Sequence, residues 1–228
     1  MANKPVFNGF TNETFEFFMA IRFNNNRPFF QDNRDWYLRA VREPSYALAE
    51  ALAPLAEEID PNLERRTHRV VSRINRDIRF SRDKSPYRDC TWLSFHHTGA
   101  EKGKLPGLFF ELNDNGGFCG SGFYKGNKPL MDAIRRRILA RPDEVLELYR
   151  PVAEEFVLYS DINSRISIPD EVPPELRALY ASRTFYFEKE ISDFDLIRSP
   201  QLADAIRADF KRLAPLYRYI ISLYNPEE

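Results

Sequence analysis

Apolar residues in this chain change their spacing once, near Arg69, and that change limits the folds open to it. Before it, Leu48, Leu52, Leu55 and Ile59 step by four, three and four, which lines one side of an α-helix. After it, Val70, Ile74, Ile78 and Phe80 share one phase of a period of two, opposite Val71, Arg73, Asn75, Asp77 and Arg79. Arg76 falls on the apolar phase. The segment must either bend or bulge near Asn75, or turn Arg76 inward toward an anionic or hydrogen-bonding partner.

Other elements follow from caps and breakers. Thr11 or Asn12 starts a helix through Phe15, Phe18 and Met19, and Asn24-Asn25-Asn26 with Arg27-Pro28 ends it. A second helix spans residues 29–42 and stops before Pro44, and a third runs from Ser45 to Ile59. Thr91 to His96 reads as a strand, as do Leu108 to Leu112 and Phe118 to Tyr124. The last two are joined through Asn115-Gly116, whose residues tolerate the positive φ of a hairpin turn. Helices follow from about Asn127 to Arg141 and from Asp143 to Glu155. Residues 160–182 read as loop with one short helix, Thr184 to Lys189 as a strand, and a final helix starts at Ser199-Pro200 and carries Leu202, Ile206, Phe210, Leu213, Tyr217 and Ile220 inward. This order predicts an α+β fold. An antiparallel sheet has helices at the N-terminal end, on one face and at the C-terminus. With 228 residues, 43% of them apolar, one globular domain over residues 1–228 is expected: helical over 10–60, sheet-forming over 69–124, with helices and a further strand over 128–223.

Charge is concentrated rather than general. Between Arg65 and Arg88 nine Lys or Arg face only Asp77 and Asp83, in a chain of net charge −1. A nearly neutral chain is a poor generic coat for nucleic acid, so a polyanion would be met at one patch. Cys90 and Cys119 form no C-x-x-C pair, the first residues show no leader pattern, and no run reaches the length of a bilayer span. A cytoplasmic protein without membrane contact is the expectation.

The basic segment is the candidate site. Arg73, Arg76, Arg79, Arg82, Lys84 and Arg88 would supply charge to an anion, with Asn75, Ser81, Ser85 and Tyr87 adding hydrogen bonds. The architectural alternative pairs these arginines with Asp77, Asp83 and acidic helices, with Asp83 shaping an Asx turn before the extended Ser85-Pro86. Asp77 and Asp83 are the catalytic candidates, but an aspartate among arginines is held ionised and makes a weak base. Gly120, Gly122 and Tyr124 could floor a ligand pocket, or the glycines could let an aromatic ring or a helix lie across the sheet. His96 and His97 alternate faces, so a shared metal is not expected, and Cys119 has no identified histidine partner. The run Arg135-Arg136-Arg137 reads as a solvated helix face. The ligand classes compatible with this are a phosphorylated or carboxylated small molecule, or a nucleic-acid end. A hydrolase or transferase acting on phosphoryl groups is an alternative, and so is a scaffold for an acidic protein partner; no cofactor is indicated.

The Asn24-Asn25-Asn26 junction with Phe30, Asn33, Arg34 and Tyr37, the run R-I-N-R-D-I-R-F-S-R-D-K-S-P-Y-R over 73–88, and G-S-G-F-Y before the Leu130 helix together resemble the DUF2461 family. The resemblance extends from about Phe10 to Ile221. It implies a common fold unit and motif but no reaction. Arg82 and Arg88 stand where the family's pattern has lysine, Tyr124 lacks a following proline, and residues 160–174 do not resemble the family's connection.

Overall fold

A computed structural model describes residues 6–79 and 81–224. The first residues, in which no leader pattern is read, and Phe80 of the alternating segment lie outside the described residues.

Three consecutive asparagines each do a different job at the first helix junction. α1 (Asn12–Phe23) ends at Asn24, whose backbone N–H and side-chain amide both donate to the Ala20 carbonyl. Asn26 caps α2 (Arg27–Asp32) by accepting from the Phe29 N–H at 3.0 Å, with Pro28 in the first turn, where no donor is needed. Asn25, between them, reaches across to residue 87.

The second and third helices are expected to separate at Pro44, and they do not. α3 (Arg34–Tyr37) passes through a π-helical turn at Leu38–Arg42 directly into α4 (Glu43–Ile59). Proline cannot donate to the carbonyl four residues back, which here is Ala40. That carbonyl instead accepts from the buried Thr14 hydroxyl at 2.6 Å, a bond between α1 and the π turn. The orphan acceptor is satisfied from another helix, so the run continues through the proline.

The alternating segment is likewise corrected. The chain forms one short helical turn, α5 (Thr67–Val70), and then runs extended without joining a strand, making only isolated bridges at Val71 with Leu93 and Asn75 with Tyr87. Sheet formation begins at Thr91 rather than at residue 69.

The sheet consists of β1 (Thr91–Phe95), β2 (Gly107–Asn113), β3 (Gly116–Phe123), β4 (Val157–Ile162) and β5 (Ser182–Ile191). Its order is β1-β2-β3-β5-β4 with every pair antiparallel. The fold is α+β as expected. β4 falls in and before the stretch read as loop, and the reason is physical. Its side chains are mostly exposed, so no apolar alternation marks it, and only its backbone pairing with β5 makes it a strand.

α6 (Lys128–Ala140), α7 (Pro142–Ala153), α8 (Arg177–Ala181), α9 (Phe194–Ile197) and α10 (Gln201–Ser222) complete the helical layer. One face of the sheet presents Leu93, Phe95, Leu108, Phe110, Cys119, Phe123, Phe185 and Phe187, all buried. α10 lies against this face with Leu202, Ile206, Phe210, Leu213, Tyr217 and Ile220 inward, and Phe210 meets Phe95 edge-on at 6.3 Å. Each such side chain contributes about 1.5–3 kcal/mol by leaving water. Arg135 is not solvated: its guanidinium donates to the Tyr180 and Ser182 carbonyls, tying α6 to the start of β5. Among the described residues no helix is long and apolar enough to cross a membrane.

Replacing Thr14 by Val keeps the shape of the side chain but leaves the Ala40 carbonyl buried without a donor. A loss of about 1–3 kcal/mol is expected, read from the urea midpoint, whereas a neutral result would mean another donor serves that carbonyl.

Candidate functional site

The basic segment is held against the helical layer by a side chain imitating backbone. The Asn25 amide donates to the Tyr87 carbonyl at 3.0 Å while its oxygen accepts from the Tyr87 N–H at 2.9 Å. The Tyr87 ring is buried and stacks on Phe30 at 4.3 Å. Residues 71–76 and 86–93 then run side by side. Ser72 N–H donates to the Trp92 carbonyl, Arg76 N–H to the Pro86 carbonyl, and Arg88 N–H to the Ile74 carbonyl. Trp92 N–H is met by the Ser72 hydroxyl rather than by a carbonyl, one reason the pairing stays irregular. The period of two survives as alternating burial: Ser72, Ile74, Arg76 and Ile78 are half-buried, and Arg73, Asn75, Asp77 and Arg79 are exposed. Arg76 does have the anionic partner its inward phase requires, the Asp83 carboxylate.

Several of the clustered cations are already neutralised. The nearly buried Glu64 carboxylate accepts from the backbone N–H groups of Arg65 and Arg66, is gripped by the Arg66 guanidinium and lies 3.6 Å from Arg69. Arg79 forks onto Asp77 at 2.9 and 2.7 Å. Asp83 accepts from the Ser85 N–H at 2.9 Å, which is the expected Asx turn. These contacts hold both aspartates ionised: the Arg79 hydrogen bonds draw Asp77 down to about 2, and those from Ser85 and then Arg76 draw Asp83 to about 2. Both are poor general bases.

Arg73, Arg88 and Lys102 differ, making neither hydrogen bonds from their side chains nor ion pairs with any described residue. Arg73 is exposed. The Arg88 guanidinium lies 4.3 Å over the Trp92 ring, with its Nε shielded from water and without a partner, and burial lowers its pKa. All three line an open cleft of about 980 Å³. Of the residues singled out from sequence, Arg73, Asn75, Arg76, Asp77, Arg79 and Arg88 meet in this cleft. Ser81, Arg82 and Lys84 do not line it, and the Lys84 ammonium donates to the Ile78 carbonyl. Tyr87 faces the core.

A second cavity of about 510 Å³ adjoins the cleft, sharing Trp92, His96 and Lys102 with it. It lies on the sheet face away from α10. Its walls are mainly apolar, formed by Trp92, Phe109, Leu105 and Tyr124, with Gly122 and the turn at Gly103 beside them. Gly103 has φ +88, and the Tyr124 ring packs where a Cβ would be. Gly120 is not part of the lining. It seats the Phe109 ring, which lies 2.7 Å from where its Cβ would stand, so the ring-seating alternative describes this glycine.

Lys102, in the polar loop after β1, went unread in the sequence, and so did three strand side chains, Trp92, Phe109 and Glu111. They occupy the outward phase of β1 and β2, with Trp92 directly opposite Glu111, and outward alternation was the only signal. Glu111 is half-buried and accepts no hydrogen bond from a described residue; burial raises its pKa above the usual carboxylate range. His96 lines both cavities, whereas His97 turns to Asp60 at 3.6 Å. Cys119 is buried, donates to Asp209 at 3.3 Å, and has its pKa raised by burial, which makes it an inert thiol.

The sequence model of one protein family, described as a conserved hypothetical protein (DUF2461), matches residues 13–219. The chain belongs to this family. A search of curated proteins found no match.

Glu64 offers a direct test of how the segment is anchored. Its pKa falls from 4.5 to about 2, chiefly through the Arg66 hydrogen bonds, so its ionised form stabilises the folded state above pH 4.5 and that contribution fades as pH falls toward 2. Glu64→Gln is expected to be the less stable protein at pH 6 and to approach wild type at pH 2.5. Urea midpoints across that range would show a constant gap instead if Glu64 acted only through packing.

Proposed function

We propose that this member of the DUF2461 family binds a phosphorylated or carboxylated ligand at the cleft lined by the basic segment. The reading rests on one observation: Arg73, Arg88 and Lys102 converge on the cleft without a carboxylate partner among the described residues, while Arg76 and Arg79 beside them are neutralised by Asp83 and Asp77. Cations that line a concavity without forming an ion pair keep their hydrogen-bond donors open to an anion, and a guanidinium fork matches two of its oxygens. Support also comes from shape. A scaffold for an acidic protein would use a flat patch, whereas these side chains line a concavity. Phosphoryl transfer with Asp77 or Asp83 as base is the weaker reading, because carboxylates held near 2 take a proton poorly.

The test is a thermal-shift screen against nucleotides, phosphosugars and inorganic anions. A ligand at about 100 times its dissociation constant adds roughly 2.7 kcal/mol, a readable shift. Arg73→Ala and Lys102→Ala remove exposed side chains with no described partner, so each should fold normally and weaken binding about tenfold or more, as loss of a charge-assisted hydrogen bond does. Ligand shifts unchanged in both variants would remove the cleft as the binding site.

A further inference from the structure

The proposed anion cleft does not end where its charge ends. Trp92, His96 and Lys102 line both the cationic cleft and the apolar cavity on the sheet face, so the two adjoin along these side chains and a single ligand of sufficient length would reach from one to the other. Such a ligand needs an anionic head and a flat apolar body, because Trp92, Phe109 and Tyr124 offer aromatic surface to whatever fills the cavity.

That mainly apolar lining also carries a carboxylate. Glu111 is half-buried and opposite Trp92, yet it receives no hydrogen bond from a described residue; Arg88, stacked on Trp92, attracts it through space without reaching it as an ion pair. A desolvated carboxylate lacking donors is costly unless a ligand supplies them, and its two oxygens match two neighbouring N–H groups. Ring systems that are flat, apolar on their faces and furnished with adjacent N–H donors on one edge are nucleobases of the guanine type. Joined to a phosphate, they have both required ends.

Resting on the anion-binding reading above, we propose that the joined cavities take a nucleoside phosphate. Its phosphate lies among Arg73, Arg88 and Lys102, and its ring lies against Trp92 and Phe109 with an N–H edge on Glu111. The same chemistry is carried by a free mononucleotide and by the phosphorylated end of a nucleic-acid strand.

Titration calorimetry of the wild-type chain with inorganic phosphate, guanosine, GMP, AMP, UMP and a 5′-phosphorylated oligonucleotide beginning in G separates the possibilities. GMP is expected to bind at least tenfold more tightly than phosphate or guanosine alone, and more tightly than UMP. Glu111→Gln should abolish the preference for GMP over AMP and UMP without weakening phosphate binding, since it only removes a negative charge that faces Arg88, and Arg73→Ala should weaken both. Oligonucleotide binding at or above the GMP affinity supports the proposal with a strand end as the source; weaker binding supports it with a free nucleotide. If phosphate binds and GMP binds no better, the nucleoside proposal is overturned while the anion site stands. If neither binds, both fall. A GMP preference that survives Glu111→Gln overturns the assignment of the ring to Glu111.

Discussion

The two hydrogen bonds between Asn25 and the backbone of Tyr87 hold the basic segment where it is. An extended run outside a sheet has most of its backbone groups unpaired, and charge repulsion among nine cations works against compaction. Asn25 supplies the missing donor and acceptor from the α1–α2 junction, and the Tyr87 ring is driven against Phe30 at the same point. Arg88 follows directly, and its guanidinium is thereby laid over Trp92. The cleft thus depends on a contact between residues 62 positions apart in the chain.

Charge within the segment is sorted by geometry into two uses. Glu64, Asp77 and Asp83 neutralise the arginines that shape the loop and its base, and Asp83 also closes the turn before Pro86. The Asp77 and Asp83 pairs are largely exposed and hold conformation more than they add stability, whereas the Glu64 carboxylate is buried. The cations without carboxylates, Arg73, Arg88 and Lys102, come from three different stretches of chain and meet only at the cleft. The architectural and functional readings of the arginines therefore apply to different residues of one motif.

The sheet separates two environments. Its α10 face buries phenylalanine and leucine side chains along with the Cys119–Asp209 contact, and Lys189 also donates to Asp209 at 2.7 Å from the β5 side. Its other face carries Trp92, Phe109 and Tyr186, the last two edge-on at 6.0 Å, together with carboxylates at Glu111 and Glu188 whose pKa values burial raises. Ionisable groups among rings on an uncovered sheet face suit ligand contact better than core packing.

Much of the fold was legible because its elements are marked locally. The 3.6-residue stripe of α10, the asparagine caps and the Asn115-Gly116 turn all act over a few residues, and the sheet and helices formed where those signals stand. Three features were not legible, each because a distant partner decides it. Pro44 passes without breaking the helix since Thr14 satisfies the Ala40 carbonyl; β4 exists through pairing with β5 rather than through its own side chains; the alternating run from Val71 remains outside the sheet because Ser72 and Pro86 limit its pairing with the strand side. The sequence alone determined that an arginine-rich segment with weakly basic aspartates would exist and that Arg76 breaks its alternation, by a bend or bulge near Asn75 or by an inward side chain needing an anionic or hydrogen-bonding partner. Tertiary structure decided which cations keep an open charge, and it brought Trp92, Phe109, Glu111 and Lys102 beside them, because side chains from separate strands and loops become neighbours only once the backbone is paired.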